Sequence, residues 1–212
     1  MVVNTTVSDL ESRLRSALAR PLPGVEAQRR MAPTPRPGWQ PNRPAGQTRD
    51  AAGLILLFPV EARVHLLLTV RSAQLPSHAG QVSLPGGSVE AGESVEETAL
   101  REAHEETGVD PAAVRVLGRL TPLHIHVSGF VLHPVVGVTD ARPSYRLAHG
   151  EVERLVEPRL DALLDPGSVK FQAGTWDGVA RDVPYFALDG LVVWGATAMV
   201  LAEFVEIASR RA

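Results

Sequence analysis

GGSVEAGESVEETALREAHEETGV, residues 86–109, is the stretch from which the rest of the chain is read. Ser94 and Glu97 form an S-x-x-E capping box and Gly108 stands where a helix ends, so the spacing predicts one helix over Val95 to Thr107. At about 100° per residue, Val95, Ala99, Ala103 and Thr107 make a narrow stripe of small side chains, with Glu102, Glu105 and Glu106 in an adjoining acidic arc. Glu106 falls on the buried side, between Val95 and Ala99. A solvated acidic face is the usual fate of such a run, but it does not explain a carboxylate set against the packing stripe. Glu102 and Glu106 are also four residues apart, a spacing at which like charges destabilise a helix. Something positive is expected between them. Clustered carboxylate oxygens suit a hard divalent cation, Mg²⁺ or Mn²⁺, which keeps positions open for water and phosphate. The segment carries seven acids and one arginine while the whole chain is only −3, so the negative charge is local.

The segment resembles the Nudix box, GX5EX7REUXEEXGU with U apolar, at every fixed position: Gly87, Glu93, Arg101, Glu102, Ala103, Glu105, Glu106, Gly108 and Val109. The resemblance implies a metal-dependent hydrolase of a nucleoside diphosphate linked to another group. It implies that Glu102, Glu105 and Glu106 bind the cations and that Arg101 and Glu93 brace the loop-helix-loop. Upstream, residues 67–87, LLTVRSAQLPSHAGQVSLPGG, are similar to the added signature of coenzyme A pyrophosphatases, LLTxRSxxxRxxxGxxxFPGG. Leu67, Leu68, Thr69, Arg71, Ser72, Gly80, Pro85, Gly86 and Gly87 fit it. Pro76 replaces an arginine of that signature and Leu84 a phenylalanine; the first exchange deletes a cation that would meet phosphate. Arg71, Ser72, Gly80, Gln81, Gly86 and Gly87 are the candidate substrate-binding set. His78 lies in the same loop.

With 212 residues and 44% hydrophobic content, the chain has room for one well-filled catalytic core and a small appendage. Without cysteine there is no disulfide, thiolate catalysis or cysteine-ligated metal. The N-terminus lacks the basic-then-apolar pattern of a secretion signal, and the longest uncharged apolar stretch, residues 191–202, is too short for a bilayer, so a cytoplasmic protein without membrane attachment is expected. A pI near 6.2 argues against general nucleic-acid binding. Of the 21 basic residues only Lys170 is not arginine, a bias that genome composition explains as readily as phosphate binding does.

Residues 9–20 carry leucines at 10, 14 and 18 and predict an amphipathic helix capped by Ser8 or Asp9, lying on the domain surface or on a partner subunit, which leaves a homodimer open. Residues 21–46, with seven prolines, predict an extended connector without a core of its own. Residues 1–50 are net +4. A basic arm on an anionic substrate is one reading of that charge; a solvated linker is the simpler one.

Residues 51–60 and 63–70 predict paired buried strands, 114–120 and 130–138 two more, with Pro134 at an edge or bulge. His124 and His126 alternate around Ile125, a weak metal pair without a third ligand. Residues 148–160 resemble the Nudix segment whose later glutamate approaches the metal cluster; Glu151 fits that context, with Glu153 as the alternative. Residues 169–173 and 183–188 predict a hairpin around Trp176, Asp177 and Gly178. Residues 191–207 predict a strand end at Trp194-Gly195 and a helix, and VWGATA there is similar to the coenzyme A pyrophosphatase group.

The implied fold is α/β, an α/β/α sandwich with a central mixed sheet, over residues 49–212, preceded by the helix and connector of residues 1–48. The implied reaction is hydrolysis of coenzyme A or an acyl derivative to adenosine 3',5'-bisphosphate and (acyl-)phosphopantetheine. Three alternatives stand beside it: another dinucleotide or nucleotide as the small-molecule substrate, such as NADH, ADP-ribose or an oxidised nucleoside triphosphate; a silent nucleotide-binding module; and an interaction role for the N-terminal segment.

Overall fold

A computed structural model of the chain describes residues 6–34, 48–74, 80–125, 128–148, 150–176 and 179–210. Pro76, His78, His126, Asp177 and Gly178 lie outside these, as does most of the proline-rich run. In chain order the elements are α1 (Val7–Leu18), α2 (Val25–Arg29), β1 (Arg49–Val60), β2 (Arg63–Leu66), β3 (Leu68–Arg71), β4 (Val82–Ser83), β5 (Gly86–Ser88), α3 (Val95–Thr107), β6 (Arg115–Arg119), β7 (Leu123–Ile125) and β8 (Phe130–Val138). They continue through β9 (Val152–Val156), α4 (Leu160–Leu164), β10 (Val169–Trp176), β11 (Val179–Leu188), β12 (Leu191–Trp194) and α5 (Gly195–Ser209).

The expected buried strand β1 is the centre of the molecule. It pairs parallel with β8 on one side and antiparallel with β2 and β5 on the other, and β8 pairs onward with β6 and β7, so the sheet is mixed. Successive side chains of β1 face opposite layers. Ala52, Leu54, Leu56 and Phe58 pack with Ala99 and Ala103 of α3, while Ile55 and Leu57 share a core with α1 and α5. Both faces are covered, as the apolar run requires, and the expected α/β/α sandwich is the observed one.

Four local expectations are corrected. Residues 63–70 are two short strands: β2 stays on the large sheet, while beyond Leu67 β3 pairs with β4 and β9 in a second, three-stranded sheet. Pro134 lies in an interior strand. Its carbonyl accepts from Leu120 N at 2.9 Å, and its missing N–H faces the same side, where β6 has ended and β7 has not begun, so no ladder bond is lost. The predicted hairpin is longer, with β12 as its third strand. The side chain that caps α1 is Thr6, whose hydroxyl accepts from Asp9 N at 3.1 Å.

The expected N-terminal amphipathic helix is present and packs its leucine face on the domain, whereas the expected coreless connector departs from the reading. Leu10, Leu14 and Ala17 of α1 are buried in the core shared with α5. The supposed connector contains α2, and Ala27, Gln28, Met31 and Ala32 are buried too. Described residues before 35 and after 47 thus share one core.

Candidate functional site

The helix that carries the carboxylates is built as its sequence dictates. Ser94 Oγ accepts from Glu97 N, and the Glu97 carboxylate accepts from Ser94 N at 2.8 Å. At the other end Gly108 takes a left-handed conformation (φ 78°), and a Cβ there would come 2.6 Å from Arg146 N. That closeness has a function. Residues 146–148 run past the end of α3, where Arg146 N donates to Thr107 O at 2.7 Å and Ala148 N to Glu106 O at 3.0 Å. The same loop then delivers Glu151.

A guanidinium brace fixes the approach to the helix. Arg101 Nε donates to Glu93 Oε1 at 2.7 Å and Nη2 to Glu93 Oε2 at 3.1 Å, and Nη2 also reaches Ser88 O at 3.2 Å. Thr98 Oγ1 adds a bond to Glu93 Oε2 at 2.7 Å. Charge-assisted bonds from Arg101, then the Thr98 hydroxyl, hold the Glu93 carboxyl down at about 2. Thr98 is the support that sequence reading missed, because no box position requires a hydroxyl there.

Glu106 is buried and its Oε2 has no hydrogen-bond partner among the described residues. Burial first, and then the negative charge of Glu102, push its pKa up to about 8, against the opposing pull of the Gly86 N–H and of Arg71. Glu102 is also raised, chiefly by burial, although Arg101 Nη1 donates to it at 3.0 Å. Its carboxylate stands directly over Gly87, where any Cβ would collide with it. Glu151 is exposed but close enough to add its charge to both glutamates. Glu105 stands apart, more than half exposed and paired with Arg101 Nη1 at 3.2 Å. Glu153 is an exposed side chain of β9.

The second candidate set gathers at the neck of the loop that follows β3. Arg71 N donates to Gln81 O and Gly80 N to Arg71 O, each at 3.0 Å, while Ser72 N donates to Glu151 O at 2.8 Å. Arg71 Nε is buried without a hydrogen-bond partner among the described residues. Gly86 pairs with Gly53, and a side chain at 86 would strike the Ala52 carbonyl. The two signals in the sequence thus meet: Arg71, Gly86, Glu102, Glu106 and Glu151 surround one region.

The donor set is chemically that of a hard divalent cation: carboxylate oxygens, one of them buried and unpartnered. Among the described residues no three acidic or imidazole groups converge closely enough to hold an ion as they stand. Glu102 and Glu105 each pair with Arg101 instead. His124 lies on β7 with its Nδ1 buried and unpartnered among the described residues. The half-open cleft between Gly108–Ala113 and Thr139–Ser144 holds none of the candidate residues, and its cations are already paired, Arg115 with Glu11 and Asp140 and Arg142 with Glu157. No helix among the described residues is long and apolar enough to cross a membrane.

The sequence profile of the NUDIX domain matches residues 47–170. A protein of Pectobacterium atrosepticum named "Uncharacterized Nudix hydrolase NudL" is 48% identical over 122 residues, which are 56% of this chain and 62%, less than two thirds, of that relative's own length. A protein of the same name from Citrobacter koseri is 37% identical over 161 residues, 74% of this chain and 83% of the other. Among solved structures, the MutT protein from Methanosarcina mazei Go1 aligns with a TM-score of 0.49 at 17% identity, over 77% of this chain and 96% of that one. With the profile spanning more than half of the chain, and the braced glutamate helix in its place, the chain belongs to the Nudix hydrolase family.

Proposed function

We propose that the chain is a metal-dependent pyrophosphohydrolase of coenzyme A or acyl-coenzyme A. Water attacks one phosphorus of the diphosphate, the P–O–P bridge breaks, and adenosine 3',5'-bisphosphate and (acyl-)phosphopantetheine leave. The observation that carries the reading is a pair of buried atoms of opposite demand in one region. Glu106 Oε2 lacks a cation or proton donor and Arg71 Nε lacks an acceptor, among the described residues. A phosphate with its divalent counter-ion answers both.

Glu102, Glu105 and Glu106 would hold Mg²⁺ or Mn²⁺. Such an ion supplies positive charge to the phosphate oxygens and lowers the pKa of a bound water. The remaining work belongs to the chain. Arg71 binds a phosphate oxygen and fixes its position. Gly86 and Gly87 let the substrate backbone and the Glu102 carboxylate approach without a side chain between them. The Glu93–Arg101 brace keeps Glu102 aimed. Glu151, tied through its carbonyl to Ser72, completes the acidic shell or takes the proton of the attacking water. Gln81 and Gly80 shape the neck beneath Arg71.

Pro76, in place of the signature arginine, favours a second reading in which the same machinery cuts another nucleoside diphosphate derivative. The purified protein with Mg²⁺ or Mn²⁺ should be offered coenzyme A, acetyl-coenzyme A, NADH, ADP-ribose and a nucleoside triphosphate, with all products identified chromatographically. Adenosine 3',5'-bisphosphate released well above every competitor supports the first reading. Turnover of another compound with coenzyme A untouched replaces it with the second.

A further inference from the structure

Glu203 sits inside α5 with no exposed surface, and no ion pair joins it among the described residues. Its Oε1 accepts from Gly24 N at 3.1 Å, Thr121 N at 3.2 Å and Thr121 Oγ1 at 2.7 Å. Oε2 accepts from Gln28 Nε2 at 2.9 Å, and the same amide nitrogen donates to Thr121 O at 2.9 Å. Three stretches far apart in sequence meet on this one carboxylate: the residues around α2, the corner between β6 and β7, and α5.

A fully buried carboxylate is costly unless its lone pairs are answered, and here neutral donors answer it. Apolar contacts alone would let the N-terminal stretch slide along α5. Directional bonds to one carboxylate fix its register. Further ties bind the stretch along the same helix: Arg13 Nη2 donates to Ala208 O at 2.9 Å, Arg30 pairs with Glu206 at 3.0 Å, and Arg210 Nη1 donates to Pro21 O at 3.1 Å. At its other end α5 is fastened toward the active region, where Thr197 Oγ1 donates to Val82 O at 3.2 Å, four residues before Gly86.

We infer that residues 7–34 are a strap belonging to the catalytic unit, although they precede the matched family domain, and that the Glu203 carboxylate is the lock that holds the strap in register. The inference does not depend on which diphosphate is hydrolysed. When the lock is lost the strap opens as its own unit, while the box helix, on the opposite face of the sheet, keeps its structure.

Amide hydrogen exchange followed by mass spectrometry on the full chain tests this, comparing the natural protein with Glu203→Gln and Thr121→Val. Glu203→Gln sets an amide N–H₂ against the Gln28 amide or an N–H donor. Thr121→Val removes one hydroxyl and keeps the shape, so it carries the test if the first variant does not fold. Losing a bond to a buried charge should speed exchange in residues 20–34 by about tenfold or more in either variant, with residues 95–107 unchanged. Unchanged protection of 20–34 overturns the lock. Equal acceleration of 20–34 and 95–107 overturns the strap as a separate opening unit.

Discussion

Replacing Gly87 by alanine separates what the site needs from what the fold needs. A Cβ built at Gly87 lies 2.5 Å from Glu102 Oε2 and closer still to Cδ, whereas ordinary contact begins near 3.4 Å. Something must move by about 1 Å. The backbone of β5 is held by its pairing with β1, but the obstructing group is the far end of a flexible side chain, so the Glu102 carboxylate swings away and its bond from Arg101 Nη1 goes with it. Misplacing a catalytic group by about 1 Å costs on the order of 10²-fold in rate, or about 2.7 kcal/mol of transition-state stabilisation. The fold should lose less than about 1 kcal/mol, since no buried apolar contact or ladder bond is broken. Gly86→Ala is the control. Its Cβ would meet the Ala52 carbonyl and lie 2.7 Å from Gly53 Cα, so the strand pairing itself must yield, and stability falls together with rate. The assay is steady-state hydrolysis of whichever substrate the panel identifies, at saturating Mg²⁺, beside thermal unfolding of both variants. A Gly87→Ala enzyme with wild-type kcat would refute the claim that Glu102 acts from its position over this glycine.

Glu106→Gln should abolish most turnover while the protein stays folded; wild-type rates would remove Glu106 from the metal set. In the metal-free protein the Glu106 pKa, about 8 when folded against 4.5 for a free side chain, favours the protonated native state. Its contribution is complete below about pH 4.5 and fades as pH rises toward 8, so urea midpoints of the apo protein should fall across that window and the Gln variant should lose that slope. Divalent-ion affinity, read by calorimetry, should for the same reason rise with pH up to about 8, since the ion displaces a proton. Arg71→Ala should raise KM about tenfold or more, and Arg71→Lys should recover only part, because a lysine offers a point charge rather than a fork; equal KM in all three would remove Arg71 from phosphate binding. Leu14→Ala should destabilise by about 2–5 kcal/mol in denaturant titration, because Leu14 is 1% exposed in the shared core and not on a solvated arm.

What the sequence could reveal follows from how local each cause is. The capping box, the glycine at the end of α3 and the stripe of small residues act within one helix, so they were readable at their true boundaries. Glu106 was legible as a buried carboxylate because helical geometry alone sets it between Val95 and Ala99. The nearness of Glu151 is of another kind, since it depends on residues 146–148 capping carbonyls of a helix 40 residues earlier, and only the family resemblance pointed to it. The division of residues 63–70 into two strands left no mark, because Leu67 is as apolar as its neighbours and the change of sheet lies in the partners. In the N-terminal stretch the prolines outweighed Ala27, Met31 and Ala32, whose burial depends on a helix near the other end of the chain.

The parallel pairing of β1 with β8 places Arg49 opposite Phe130, so the central ladder closes a loop of about 80 residues that contains the whole box. Such a closure carries a large entropic barrier before its contacts repay it, and it puts this chain among topologies of high contact order and slow folding. The box helix has local signals enough to flicker into shape early, and β5 joins β1 over a shorter loop, but the central ladder with β8 arrives only with that late closure. Until then the edge of β1 that β8 covers stays open beside the local β1–β2 hairpin, an apolar edge through which newly made chains would associate with one another.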